Sequence, residues 1–180
     1  MHSITEILNI ILKSIFVGFG VIIPILSLIK TSGLKSIEVK DLFILTAVQL
    51  VRVSGIIYFI LAITGNLGAF SAKNATGEGL GLEYFLYLFF SPLMYLLLTQ
   101  LFWIKKLYMK KMARITLSIL MLILPSSWFL LLVKTENLGT VTKAVFTTDV
   151  ISVFFLNIIV FIFMTFTIIL LGGKLKDKKV

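Results

Sequence analysis

Arg52 has the greatest capacity for chemistry in this sequence. It is a guanidinium inside the apolar run from Leu42 to Gly65, with Gln49 one helical turn before it on the same face. A permanent cation near the bilayer centre costs about 2.5–3.5 kcal/mol on insertion scales and is usually retained for a function. It would hold an anion or set the barrier of an ion path. No carboxylate lies at equal depth: Glu6, Glu83 and Asp149 flank apolar runs on the expected outer side, and Asp41 flanks one on the inner side. The expected partner is therefore a backbone carbonyl, a lipid phosphate, water or an acid on another subunit. A second reading starts the spanning helix at Val53 and leaves Ile37 to Val51 as an interfacial segment. Arg52 then snorkels from the inner end of a shorter helix.

Lys13 lies about two turns inside the first apolar run, near enough for its stem to reach the headgroups. It shares a helix face with Glu6 and Asn9 through three- and four-residue spacings, a stripe that could line a water-filled half-channel. Gln100 and Asn157 are the other strongly polar groups within apolar runs, and each is expected to hydrogen-bond between helices. Outside the runs, Lys105, Lys106, Lys110, Lys111 and Arg114 form a basic connection suited to anionic lipid headgroups.

Much chemistry is excluded. The single histidine is His2 and there is no cysteine, so thiolate catalysis, Cys-ligated metals, bis-histidine haem and His-x-x-x-His zinc sites have no ligands. No Ser–His couple and no intramembrane carboxylate pair exists for acyl transfer or aspartyl proteolysis. Asn66-Leu67-Gly68-Ala69-Phe70 resembles a short motif of lipoprotein signal peptidases over five residues. That family's catalysis needs two aspartates near one membrane face, and here only Asp149 could occupy that face. A chain without catalytic activity and without cofactor is expected. The Gly77–Glu83 stretch follows no strand and is read as a flexible loop rather than a phosphate cradle.

The elements that must position these residues are legible in the composition. The 180 residues are 59% hydrophobic and 14% charged, with a mean hydropathy of +1.09. Soluble domains run at about 45–50% apolar and about 25% charged. An all-α integral membrane protein in one domain is expected. Its five spans are placed at about 7–29, 42–65, 84–104, 115–133 and 150–171, with the first retained rather than cleaved as a signal peptide. Ser14, Gly18 and Gly20 on the first span should let another helix approach closely. Ser91-Pro92 and Pro125-Ser126-Ser127 should kink the third and fourth spans, with the neighbouring serines satisfying the freed backbone groups. Those two spans should form an antiparallel hairpin.

Lysine and arginine concentrate in alternate connections: three in 30–41, five in 105–114 and four in 174–180, against none in 1–6, one in 66–83 and two in 134–149. This bias places the N-terminus outside and the C-terminus in the cytoplasm. The net charge of +9 is thus a feature of lipid contact and topology, with no nucleic-acid partner expected. The Phe-, Ile- and Lys-rich composition suggests a bacterial inner membrane. Two functions follow. One is a non-catalytic accessory subunit of a larger membrane complex, in which Arg52 meets an acid on a neighbouring integral subunit. The other is a small transporter or ion- or proton-conducting protein using Arg52 and Lys13.

Overall fold

The computed structural model describes residues 4–75, 82–124 and 148–172, and these are helical with no strand among them. Helix α1 spans Ile4–Leu28, α2 Leu34–Ala75, α3 Leu82–Leu101, α4 Lys105–Met109, α5 Lys111–Ile123 and α6 Thr148–Leu171. Among the described residues, three stretches are long and apolar enough to cross a membrane: Ile4–Leu28, Leu34–Gly68 and Val150–Leu171. The apolar part of α3, Leu88–Leu101, is shorter. Only the part of the expected fourth span up to Leu124 is described. Residues 125–133, with Pro125-Ser126-Ser127, lie outside the described residues, as do most of the 77–83 loop and the basic residues 174–180.

The largest departure from expectation is α2. The connection expected over 30–41 is a loop only to Gly33, whose φ of 105° turns the chain, and Leu34–Asp41 is already helical. At its other end the helix runs past Gly65 to Ala75. Charge marks where lipid should stop, whereas a helix stops only where propensity, turn chemistry or packing ends it. Nothing in Leu34–Asp41 breaks a helix, while Thr31-Ser32-Gly33 does. At about 1.5 Å per residue, 42 residues give a rod of about 63 Å. Ile37 to Val51 is not a separate interfacial segment, because Phe43, Ile44, Ala47, Val48 and Val51 are buried in the bundle.

Helix α1 is the axis, packing against α2, α5 and α6. The face carrying its small residues is used as expected, by two neighbours. A Cβ on Gly18 would collide with the Phe161 side chain of α6. One on Gly20 would lie 3.0 Å from Leu122 Cβ and 3.1 Å from the Ser118 carbonyl oxygen of α5. In lipid, where apolar burial gives little net drive between helices, such close approach supplies packing energy. The interior is filled by rings: Phe16 stacks on Tyr95 at 4.3 Å, and Phe19 meets Phe102 edge-on at 5.1 Å. Phe16, Phe19, Phe102 and Phe161 are fully buried.

The end of α1, the start of α2, the start of α5 and the end of α6 gather at one end of the bundle. Lys40 Nζ donates to the Ile29 carbonyl at 3.1 Å, and Arg114 Nε donates to Ser27 Oγ at 3.0 Å. The two described lysine-rich connections therefore share an end.

Candidate functional site: the polar clasp between two helices

Arg52 lies on the face of α2 that meets α3. One terminal nitrogen donates to the Phe102 carbonyl, just past the end of α3. The guanidinium carbon stands 5.1 Å from the Trp103 ring centroid and 4.7 Å from that of Tyr108. Both are cation–π distances. A cation at a helix C-terminus also meets the negative end of the helix dipole and one of its orphan carbonyls. The last turn of α3 tightens to i→i+3 bonds, from Phe102 N to Thr99 O and from Trp103 N to Gln100 O, so Arg52 completes a helix end that winds down there. Its Nε is buried without a partner among the described residues.

Fourteen residues along α2, Asn66 makes the matching contact. Asn66 Nδ2 donates to the Leu88 carbonyl at 2.7 Å. Leu88 is four residues before Pro92, so its carbonyl lacks the helical N–H that proline cannot supply. Where the sequence points to the adjacent Ser91 as the donor, the freed carbonyl is served across the helix interface by Asn66. The steps of 14 residues, Arg52 to Asn66 on α2 and Phe102 to Leu88 on α3, define one antiparallel register. Gly55 falls on it opposite Thr99, so tightly that a Cβ would collide with its side chain, and one residue off it Tyr58 meets Tyr95 edge-on at 5.4 Å. The two clasps are about 21 Å apart along the helix, within a hydrocarbon core of about 30 Å.

The other expected residues fall into three groups. Asn157 joins two helices: the Ser14 hydroxyl lies 2.7 Å from Asn157 Oδ1 and 2.9 Å from the Ile10 carbonyl, donating its one proton to either, and so ties α1 to α6. Gln100 Nε2 and Asn9 Oδ1 are buried with no partner among the described residues. Gln49 and Lys13 are exposed, so neither joins Arg52 in the interior. Lys13 points away from the buried face formed by Leu12, Ser14, Ile15 and Phe16, and its stripe with Glu6 lines no interior path among the described residues.

Within the basic connection, Lys105, Lys106, Lys110 and Lys111 are exposed, but Arg114 is not a surface partner like them. It turns inward to Ser27 Oγ and donates from Nη1 to the Tyr108 carbonyl at 3.3 Å. Burial lowers its pKa from the ordinary value, with the charge of Asp41 acting in the opposite direction. This arginine braces the connection against α1.

The fold and these contacts define a class: an all-helical protein whose long apolar helices fit a membrane, held by side-chain clasps onto backbone carbonyls. Comparison with protein-family models, with curated proteins and with solved structures finds no match for this chain.

Proposed function

We propose that the chain is a non-catalytic subunit of a larger membrane assembly, crossing the bilayer five times with its N-terminus outside and its C-terminus in the cytoplasm. The observation that carries this reading is what occupies the middle of the bundle. Phe16, Tyr58, Tyr95, Phe19, Phe102 and Phe161 pack ring against ring where a carrier would need a polar path. Three of the buried hydroxyls in the same region are spent on their own helices: Thr99 donates to Tyr95 O, Ser118 to Arg114 O and Thr165 to Phe161 O. Helix α6 offers the surface for a neighbour, because only 17% of its apolar window is buried against 56% for α1. The shared end of the 30–41 and 105–114 connections supports the proposed topology, since both belong on the positive, cytoplasmic side.

Arg52 takes a different part from the one its sequence position suggests. Its contacts with Phe102, Trp103 and Tyr108 lie within the chain, so the assembly reading does not require an acid from a neighbour at this point. Purification from the native membrane in mild detergent, with mass spectrometry of what stays bound, tests the reading. Stoichiometric integral membrane partners are expected. A lone, homogeneous species would overturn it.

One observation favours the conducting alternative. Arg52 Nε and Gln100 Nε2 are buried donors without partners among the described residues, and water would satisfy both. Ion or proton flux in proteoliposomes that is lost on Arg52→Leu would establish that reading.

A further inference from the structure

At the end where the basic connections meet, α1, α2 and α6 leave a side-facing groove of about 630 Å³. That volume falls within the range of about 300–1,000 Å³ typical of small-molecule sites. Its deep walls are wholly apolar: Ile22 and Leu26 from α1, Phe43 from α2, Ile162 and Phe166 from α6. Polar groups gather at the other end only, where Thr31, Lys35, Ser36 and Lys40 line the mouth. Neither Glu38 nor Asp41, on the same stretch of α2, lines it. The groove thus runs along the helices from an apolar depth to a cationic rim beside the helix ends.

Two details set this rim apart from a solvated charged surface. Thr31 Oγ1 is buried without a hydrogen-bond partner among the described residues, a hydroxyl that a bound acceptor would satisfy. Lys40 Nζ is held over the rim by its bond to the Ile29 carbonyl, which uses one of its three donors. Lys35 stands exposed alongside.

We propose that this groove holds an anionic glycerophospholipid, with an acyl chain against Leu26, Phe43 and Phe166 and the phosphate between Lys35, Lys40 and Thr31. A free anion would leave the apolar wall unfilled, and a neutral lipid would leave the lysines unneutralised. Only a molecule that is long, apolar and anionic at one end uses the whole length. This site is separate from the exposed Lys105–Lys111 surface and does not rest on the subunit reading.

The test is native mass spectrometry of the full chain in mild detergent, titrated with phosphatidylglycerol or with phosphatidylcholine of the same acyl chains. One phosphatidylglycerol should be retained in preference to phosphatidylcholine. At about 1 kcal/mol for each basic residue near an anionic surface, Lys35→Gln or Lys40→Gln should weaken retention about five-fold, and the double variant about thirty-fold. Val39→Trp, which fills the groove from an exposed lining position, should lower retention while leaving both lysines in place. The paired change Lys105→Gln with Lys106→Gln should have little effect. Equal retention of the two lipids, no loss in the Lys35 and Lys40 variants, or an equal loss in the Lys105 and Lys106 control would each overturn the proposal.

Discussion

If Asn66 replaces the hydrogen bond that Pro92 removes, the two residues are energetically coupled although they lie on different helices. Asn66→Leu leaves the Leu88 carbonyl without a donor in an apolar setting. An orphaned buried group costs about 1–3 kcal/mol, while interhelical hydrogen bonds in membranes average about 0.6 and reach about 1.7 kcal/mol. The expected loss is therefore about 1–2 kcal/mol. In a Pro92→Ala background residue 92 regains its N–H and the Leu88 carbonyl closes its own helical bond, so Asn66→Leu should then cost only a few tenths of a kcal/mol. The coupling energy is the difference, about 1 kcal/mol. Equilibrium unfolding in mixed micelles, following helical content as the denaturing detergent fraction rises, measures all four corners of the cycle. An Asn66→Leu cost that is the same with proline or alanine at 92 would refute the reasoning, because the bond would then do nothing that the proline makes necessary.

Other consequences can be measured in the same system. Arg52→Leu loses a charged hydrogen bond of about 1.5–3 kcal/mol and two cation–π contacts of about 0.5–1 kcal/mol each, offset by release of the buried Nε. A net destabilisation of about 1–2 kcal/mol is expected, with Arg52→Lys intermediate, and stability equal to wild type in Arg52→Leu would remove Arg52 from the end of α3. Gly18→Leu should cost about 1–3 kcal/mol by overpacking against Phe161. Part of that loss should return in Gly18→Leu with Phe161→Ala, and purely additive effects would mean the two positions do not touch. The sequence has no cysteine, so single cysteines report sidedness without background. Ser32→Cys and Met109→Cys should be labelled from the cytoplasmic side and Lys73→Cys from outside, and labelling of positions 32 and 109 from opposite faces would break the proposed topology.

Which features were legible in the sequence follows from what each signal measures. The small-residue face of α1 could be read directly, because Ser14, Gly18 and Gly20 have few uses in lipid other than close approach, and they meet α5 and α6. Asn157 could be read for a similar reason, since an amide in a phenylalanine-rich helix needs a partner. Arg52 could be singled out but not placed. Its position within a hydropathy window says how apolar the neighbours in sequence are, while its partners Phe102 and Trp103, just past α3, and Tyr108, in α4, lie 50 residues or more further along the chain. Asn66 does not stand out in the sequence as a structural residue, because it falls at the polar end of the run, where an asparagine normally meets water. The signal for it is Pro92: every intrahelical proline leaves a carbonyl four residues earlier in need of a donor, and a neighbouring helix can supply that donor as well as an adjacent serine can.

The same distinction explains α2. Hydropathy reads the solvent and finds its limits at Asp41 and Gly65, yet the helix continues to Leu34 on one side and Ala75 on the other. Those extra turns have consequences for the rest of the molecule. The turns before Asp41 bring Lys35 and Lys40 beside the end of α1 and form the rim of the lipid-sized groove. Those after Gly65 carry Asn66 in register with Leu88. A helix that stopped at the limits of its apolar run would have neither the cationic rim nor the second clasp on α3. Both contacts depend on helical continuity through residues that hydropathy assigns to loops. Helix-breaking changes outside the apolar run should therefore act inside the bundle. Gly65→Pro, one residue before the clasp, should lower stability by more than the 1–2 kcal/mol of Asn66→Leu, since it breaks the helix by about 3 kcal/mol and misplaces Asn66 together. Stability no lower than that of Asn66→Leu would mean that α2 does not act as one rod through this point.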